Sequence, residues 1–262
     1  MTYKYKGIKI NYNIYGKGNP LILLHGWGTS SNTFSNLALI LEKKYEVHLI
    51  DLIGFGKSEE PFKAFSLSDY VYFINDYIIR NNIKKPIILG HSFGGRIAIK
   101  YASMFKNIDK LILVDSAGIK KRFSLKKWIK VKIYKFKKKW YKLTRDINKY
   151  NHLITNSGSY DYKNASNIMK ATLSKIICED LKNHLKDISV ETLIIWGKDD
   201  KETPYKDALK MNKLLKNSGL VTLENTGHFP YLESKYEFNS ILMHYLGVDK
   251  WYIFEYALFY QH

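Results

Sequence analysis

The sequence predicts an α/β protein whose sheet is doubly wound and mostly parallel. Short apolar runs, bounded by Gly, Pro or Asp, alternate with stretches in which apolar residues recur at helical spacing. Runs of roughly four to six apolar residues suit strands buried on both faces of a parallel sheet, and strand–helix alternation is typical of doubly wound folds. The runs that predict strands are PLILLHG, EVHLIDL, PIILGHS, KLILVDS, ETLIIWG and GLVTLEN.

The elements around these runs follow from simple patterns. At the N-terminus, YKYKGIKINYNIYG predicts a two-stranded hairpin. Leu67 to Asn81 predicts a helix because its apolar residues share one helical face, and GGRIAIKYASMF predicts another helix directly after PIILG. With 262 residues, the chain is long enough for one large domain with an ample core.

The alternation stops once, between Ser116 and Glu191. More than seventy residues there have helical patterning and no clear strand. Because a structureless loop of that size is implausible in a compact domain, we interpret the segment as a helical insertion. We therefore predict a core of residues 1–116 and 191–247, a helical cap at 117–190, and a C-terminal aromatic extension at 248–262 that packs on the body.

Composition limits the cellular setting and the chemistry. The only cysteine is Cys178, so no intramolecular disulfide can form and a reducing compartment is expected. The N-terminus lacks the apolar core of a signal peptide, and no apolar run approaches the length of a membrane span. The sequence thus predicts a cytoplasmic protein.

No cofactor or metal site is expected. His and Cys residues do not cluster at metal-ligand spacing. GFGKS at Gly54–Ser58 resembles the end of a phosphate-binding loop, but the position of that motif's first glycine holds Asp51, so the match fails.

Ser92 lies in a G-x-S-x-G motif with Gly90 and Gly94, between a predicted strand and a predicted helix. Such a tight turn projects the serine hydroxyl over the carboxyl end of the sheet, where a helix N-terminus favours developing negative charge. A serine hydroxyl becomes a good nucleophile only when a base takes its proton and an acid orients that base. Ser92 is therefore a candidate nucleophile that requires two partners.

Candidate partners follow the last two predicted strands. His228 comes just after GLVTL, where a loop would lie at the same sheet edge as Ser92, and Asp199 and Asp200 follow LIIWG. His25 and His91 lie inside glycine motifs, where a structural role is expected.

Four motifs in order resemble the α/β-hydrolase superfamily, and the resemblance covers essentially everything outside the insertion. Each motif alone is weak, but together they are highly specific. They are HGWG at His25–Gly28, DLIGFGKS at Asp51–Ser58, GHSFGG at Gly90–Gly95, and WGKDDKETP followed by GHFPYLE.

The resemblance implies a catalytic order of Ser92, Asp200 and His228. The acid of the family usually precedes a proline by four residues, so Pro204 favours Asp200 over Asp199. Some members carry their acid at the position of Asp115 instead.

The resemblance also assigns the oxyanion hole to the backbone N–H groups of Trp27 and Phe93. Serine at the elbow separates the chain from the haloalkane dehalogenases and epoxide hydrolases of the superfamily, which carry aspartate there.

The expected function is a serine hydrolase of carboxylic esters with a small or medium, partly apolar acyl substrate. Three alternatives stay open at this point: hydrolysis of a carbon–carbon bond in a diketone-like ring-fission product, a synthase or lyase, and a binding protein without turnover. Arg96 bears on the second, because it is similar to an arginine of the menaquinone-pathway synthases of this fold.

The positive charge is concentrated in one segment. The formal net charge is +18, and the segment from Lys120 to Arg145 holds thirteen Lys or Arg residues and no acid. We expect its apolar stripe to pack on the core and its lysines to face solvent, with at most weak, salt-sensitive attraction to anionic membranes and no nucleic-acid partner. The stripe comprises Leu125, Ile129, Ile133, Phe136, Trp140 and Leu143.

Overall fold

In this computed structural model, which describes residues 1–120, 125–155 and 165–248, eight strands form one sheet in the order β1-β2-β4-β3-β5-β6-β7-β8. β1 and β2 form the predicted hairpin, β2 pairs antiparallel with β4, and the remaining pairs are parallel. The predicted fold class is confirmed. The strands are β1 Thr2–Tyr5, β2 Ile8–Tyr15, β3 Asn19–Leu24, β4 Tyr45–Ile50, β5 Ile87–His91, β6 Leu111–Val114, β7 Thr192–Gly197 and β8 Ser218–Leu223.

Helices cover both faces of the sheet. In the described parts of the chain they are α1 Ser35–Leu41, α2 Leu67–Arg80, α3 Phe93–Phe105, α4 Leu125–Leu143, α5 Ile147–Thr155, α6 Asn167–Ile177, α7 Lys182–Asp187, α8 Tyr205–Leu214, α9 Pro230–Glu233 and α10 Lys235–Leu246, besides a short 3-10 helix at Ser31–Phe34.

Alternation along each strand divides the core into two layers. On β3, Ile22 and Leu24 face a layer that includes α2, α3 and α8, whereas Leu21 and Leu23 face α1 and α10. The central strands are buried on both faces as predicted, but β8 is only half-buried. The reason is its place at the edge of the sheet, where it has one neighbouring strand.

Helix α2 begins at residue 67 because Ser66 caps it. The Ser66 hydroxyl accepts from the Asp69 N–H, and the Asp69 carboxylate accepts from the Ser66 N–H at 2.7 Å. Each side chain thereby satisfies a backbone donor that the first helical turn leaves free. The predicted helix matches α2 to within one residue, since Asn81 is the C-cap.

Between β6 and β7, the described residues form α4 to α7. Helix α6 is fastened to the core: the hydroxyl of Thr172 accepts from the backbone N–H of Phe65 at 3.0 Å, and Lys175 donates to the carbonyl of Ala64 at 2.8 Å. Helix α4 packs against α5.

The expectation that the stripe on α4 packs on the core is wrong. The side chains of Ile129, Ile133, Phe136, Trp140 and Leu143 are between 43% and 76% exposed. Among the side chains of α4 that the structure describes, the half-buried ones are tyrosines at other positions, Tyr134 and Tyr141. Periodicity establishes that apolar residues share one face, but it does not determine which element covers that face. The Leu125 side chain and the predicted aromatic extension beyond Val248 lie outside the described part of the structure.

Of the helices in the described ranges, none combines the length and the apolar character needed to cross a membrane.

Candidate active site

Ser92 occupies the sharp turn between β5 and α3. Its backbone has φ 50° and ψ −109°, a region that L-residues rarely adopt and that surrounding contacts must hold. The Ser92 N–H donates to the carbonyl of Val114 at 3.1 Å, and the Ser92 carbonyl accepts from the N–H of Ala117 at 3.0 Å. Strand β6 and the residues after it therefore hold the elbow on both sides.

Two glycines allow α3 to start this close to the sheet. A Cβ on Gly94 would collide with the carbonyl oxygen of Leu24, and one on Gly90 would lie 2.5 Å from the carbonyl oxygen of Gly94. Both contacts are with backbone, which cannot move aside without displacing a strand or a helix. The G-x-S-x-G pattern is thus required by the closeness of β3, β5 and α3.

Three of the residues singled out in the sequence lie in a hydrogen-bonded line. His228 Nε2 is 3.0 Å from Ser92 Oγ, and His228 Nδ1 is 2.7 Å from Asp200 Oδ2. Because the carboxylate can only accept, Nδ1 carries the proton, and Nε2 is then free to accept from the serine hydroxyl. The three side chains follow β5, β7 and β8, whose carboxyl ends meet at one edge of the sheet.

Asp200 is held as a carboxylate by four donors. Its Oδ1 accepts from the N–H groups of Glu202 at 2.7 Å and Thr203 at 3.0 Å, and its Oδ2 accepts from the Thr203 hydroxyl at 2.6 Å as well as from His228. Burial by itself would raise the pKa of Asp200, but these hydrogen bonds outweigh it and hold the pKa below its usual value. Asp199, in contrast, is exposed.

Asp115 is buried near the Asp200 carboxylate, but its hydrogen bonds and its charge differ from those of Asp200. Its Oδ1 accepts from the Gly197 N–H at 3.0 Å, and within the described residues its carboxyl makes no hydrogen bond to His228. Burial raises the pKa of Asp115 to about 9, with the negative charge of Asp200 adding to the effect. Asp115 is therefore a neutral carboxylic acid at pH 7.

The HGWG loop lies against the elbow. The Gly94 N–H donates to the carbonyl of His25 at 3.1 Å, and a Cβ on Gly26 would be 3.4 Å from the Cβ of Ser92. The Trp27 and Phe93 rings meet edge to face with centroids 5.3 Å apart. Phe93 is the first residue of α3, where backbone N–H groups have no partner inside the helix.

His25 is a structural histidine. Its Nε2 accepts from the Leu52 N–H at 3.0 Å, and its Nδ1 donates to the Gly26 carbonyl at 2.7 Å. Burial lowers the pKa of His25 to about 4, so the neutral ring joins the HGWG loop to the DLIGFG loop.

Thr203 and Phe55 also belong to this site, although no sequence motif singles them out. Thr203 lies directly before Pro204, but the spacing of the motif does not indicate that its hydroxyl donates to the Asp200 carboxylate. Phe55 packs 4.8 Å from Trp27 and 6.3 Å from Phe93, measured between ring centroids. Phe55 and Trp27 are half-buried, so they form part of an aromatic wall beside the elbow.

Arg96 does not face the three hydrogen-bonded side chains. It is 5% exposed, and its guanidinium donates to the main-chain carbonyls of Ile176, at 2.9 Å, and Glu179. Burial lowers the pKa of Arg96 below its usual value. The arginine ties α3 to the end of α6. Among the described residues, no group of His, Cys, Asp or Glu side chains could hold a metal ion.

The sheet, the elbow and the line of serine, imidazole and carboxylate at its carboxyl edge have the form of an α/β hydrolase. The family model for the alpha/beta hydrolase fold matches residues 19–155, and a model described as TAP-like protein matches residues 178–248. The chain belongs to the α/β-hydrolase family and is an enzyme of that family.

Relatives with stated activities include two curated proteins. The chain is 30% identical to pimeloyl-[acyl-carrier protein] methyl ester esterase of Wigglesworthia glossinidia brevipalpis, over 90% of this chain and 96% of the relative. It is 27% identical to 2-hydroxy-6-oxo-6-(2'-aminophenyl)hexa-2,4-dienoic acid hydrolase of Metapseudomonas resinovorans, over 92% and 88% respectively. Among solved structures, an esterase from Exiguobacterium antarcticum superposes with a TM-score of 0.73 at 26% identity, covering 92% of this chain and 97% of that one.

Proposed function

We propose that the protein is a serine hydrolase of carboxylic esters, with Ser92 as nucleophile, His228 as general base and acid, and Asp200 as the group that orients His228. The observation that carries this proposal is the hydrogen-bonded line from Asp200 Oδ2 through the imidazole to Ser92 Oγ, with heavy-atom distances of 2.7 and 3.0 Å. Both distances lie within the range for proton transfer.

In the acylation step, Ser92 Oγ attacks the ester carbonyl carbon while its proton moves to His228 Nε2. The carbonyl oxygen becomes an oxyanion, which the backbone N–H groups of Trp27 and Phe93 stabilise. Collapse of the tetrahedral intermediate breaks the bond to the alcohol oxygen, which leaves with the proton from His228. The acyl group then remains on Ser92 as an ester.

Deacylation repeats these steps with water. The oxygen of a water molecule attacks the acyl carbon while His228 takes a proton from that water. His228 then gives the proton to Ser92 Oγ as the carboxylic acid leaves. Asp200 stabilises the imidazolium in both half-reactions, in keeping with the hydrogen bonds that hold it as an anion.

A small or medium, partly apolar acyl group suits the aromatic wall of Trp27, Phe55 and Phe93 beside the elbow. The esterase relative of Wigglesworthia glossinidia brevipalpis supports an ester as the substrate. We also propose a cytoplasmic location, which the single, unpaired Cys178 supports.

Cleavage of a carbon–carbon bond next to a ketone is the second candidate, because the hydrolase of Metapseudomonas resinovorans is a relative over most of the chain. A synthase or lyase that binds a carboxylate through Arg96 finds no support, since that guanidinium is buried against main-chain carbonyls.

Labelling with a fluorophosphonate probe tests the nucleophile. The native protein should be labelled, Ser92→Ala should not, and the matched control Ser174→Ala, at an exposed serine of α6, should label like the native protein. Labelling of Ser92→Ala would overturn the mechanism, provided that its thermal unfolding is unchanged.

Rates on p-nitrophenyl esters of rising chain length, compared with the rate on a 2-hydroxy-6-oxo-dienoate, separate the two candidates. A kcat/KM at least about tenfold higher on the best ester supports ester hydrolysis, and the reverse order supports carbon–carbon cleavage.

A further inference from the structure

Helix α4 carries an exposed apolar stripe. We define the stripe by its described side chains, Ile129, Ile133, Phe136, Trp140 and Leu143. At 3.6 residues per turn, these positions lie within an arc of about 80°. All five side chains are between 43% and 76% exposed, so one continuous face of the helix is apolar and open to solvent. Soluble proteins rarely leave such a face uncovered unless it binds something.

Phe136 and Trp140 form the centre of this stripe. Their rings are stacked, with an interplanar angle of 18° and centroids 6.3 Å apart, and more than half of each side chain is exposed. Large aromatic side chains on an exposed helical face, opposite a lysine-rich face, are typical of helices that lie in the boundary between lipid headgroups and acyl chains.

The charge around the stripe has one sign. Nine of the nineteen residues of α4 are lysines, and no acid occurs between Lys120 and Arg145. On the helix, Lys137 and Lys139 flank the stripe on its two sides, each about 80° from its centre, and both are exposed. A surface that binds the apolar stripe would therefore also meet cations along both edges.

We propose that α4 docks on an anionic lipid surface, with its apolar stripe between the headgroups and its lysines against the lipid phosphates. A nucleic acid would satisfy the lysines but would leave the stripe facing water. A second copy of the chain would cover the stripe but would bring two segments of thirteen cations together. An anionic bilayer satisfies both the apolar and the charged groups, and the proposal does not depend on the reaction that the active site catalyses.

Vesicle co-sedimentation of the full chain tests the apolar part of the proposal. Partition onto phosphatidylglycerol vesicles is measured at about 0.1 M and about 1 M salt, where the Debye length falls from about 10 Å to about 3 Å. The double variant Phe136→Ser/Trp140→Ser should partition at least about tenfold less than the native protein, and by a similar ratio at both salt concentrations, because apolar insertion is not screened.

The matched control is Ile79→Ser/Leu209→Ser, which removes two side chains that are 65% and 51% exposed on α2 and α8. This control should partition like the native protein. Far-UV circular dichroism and hydrolysis of a soluble ester should be unchanged in both double variants, since none of these residues touches the candidate active site.

The charged part of the proposal needs a separate variant. Lys137→Gln/Lys139→Gln should lower partition onto phosphatidylglycerol by about 25-fold at low salt, since each basic group near an anionic surface contributes about fivefold. The difference should shrink towards unity at about 1 M salt. The control Lys206→Gln/Lys213→Gln, at two exposed lysines of α8, should have little effect.

Equal partition of the native protein and the Phe136→Ser/Trp140→Ser variant would overturn the proposal, and tight binding of both to a DNA duplex would then indicate a nucleic-acid surface. Equal partition of the native protein onto phosphatidylcholine and phosphatidylglycerol would also overturn it. So would a lipid-free dimer, measured by sedimentation velocity, that the same double variant dissociates, because the stripe would then be an interface between two copies.

Discussion

His91 Nε2 donates a hydrogen bond to the main-chain carbonyl of His228 at 2.7 Å. Because a carbonyl can only accept, Nε2 carries the proton, and Nδ1 then accepts from the hydroxyl of Tyr231 at 3.3 Å. Burial lowers the pKa of His91 to about 3, with the neighbouring His228 lowering it further, so the ring stays neutral. The residue directly before Ser92 thus holds the backbone of the candidate base.

We expect His91→Phe to lower kcat by about 10- to 100-fold with little change in KM, because a loosened His228 misplaces the proton acceptor rather than the substrate. Steady-state kinetics on a p-nitrophenyl ester measures the effect. His91→Gln, which keeps a donor in the side chain, should recover most of the rate, and His244→Phe, at an exposed histidine of α10, is the control. An unchanged kcat in His91→Phe would show that His228 needs no such support.

The two adjacent aspartates after β7 should differ sharply in catalysis. Asp200→Asn is expected to lower kcat by about 10³- to 10⁴-fold, because an amide at this position favours the wrong imidazole tautomer. Asp199→Asn changes an exposed side chain and should leave kcat within about twofold. If the Asp199 variant is the damaged one, the acid has been assigned to the wrong residue.

Asp115→Asn should raise stability at alkaline pH and leave catalysis nearly intact. Between about pH 4 and pH 9 the unfolded chain releases the Asp115 proton while the native protein keeps it, so the contribution of Asp115 to the free energy of unfolding falls as pH rises through this window. Asparagine is neutral throughout and can still accept from the Gly197 N–H. Urea unfolding should therefore give curves for variant and native protein that converge near pH 4 and separate by pH 8, with the variant more stable.

A large loss of kcat in Asp115→Asn would contradict this account, because the carboxylate that orients His228 would then come from β6 rather than β7.

On acidification, the protein should begin to lose stability at pH values well above those at which carboxylates usually titrate. The pKa values of His25 and His91 in the native protein are lowered to about 4 and 3. Below pH 6.5, both histidines therefore become protonated in the unfolded chain while their rings stay neutral in the native protein. Asp115 has the opposite effect, because between about pH 4 and 6.5 the native protein holds one proton on this residue that the unfolded chain has released. The net uptake of one proton predicts a fall in the free energy of unfolding of about 1.4 kcal/mol per pH unit.

Guanidinium unfolding at pH 6 and pH 5 measures this slope. The buried His48, whose pKa burial also lowers, makes the predicted slope a lower bound. In Asp115→Asn the opposing proton is gone, so the slope should steepen. A free energy of unfolding that does not change between the two pH values would show that these histidines are not buried as neutral rings.

Much of the fold and the candidate site could be predicted because local patterns determine them. Apolar runs give the strands, and a residue that follows a parallel strand lies at the carboxyl edge of the sheet. For this reason Ser92, Asp200 and His228 could be expected to meet before any distance was known. The choice of Asp200 over Asp199 came instead from the resemblance, in which the acid precedes a proline by four residues, here Pro204.

Relationships between distant segments could not be predicted in this way. The bond from His91 to the carbonyl of His228 spans 137 positions, and the bond from Arg96 to the carbonyl of Ile176 spans 80. Both acceptors are main-chain atoms, which every residue has and which no sequence motif therefore marks. The exposure of the α4 stripe could not be predicted for a related reason. The spacing of apolar residues shows that a helix has an apolar face, but it does not show which element, if any, packs against that face.

The last prediction concerns the approach of α3 to the sheet. Gly94→Ala should prevent native folding or lower the melting temperature severely, because its Cβ would collide with the carbonyl oxygen of Leu24 on β3. The control is Gly219→Ala on the edge strand β8, where a Cβ meets no atom within 4 Å. That variant should be as stable as the native protein or slightly more stable, since alanine lowers the conformational entropy of the unfolded chain.

Thermal unfolding followed by circular dichroism compares the two alanine variants, and soluble yield reports on folding if Gly94→Ala does not accumulate. The collision is with backbone, so no side-chain rotation can relieve it, and relief requires that α3 move away from β3 and carry Ser92 with it. A Gly94→Ala protein that melts like the native one and keeps its ester hydrolysis would show that the elbow does not need this close approach.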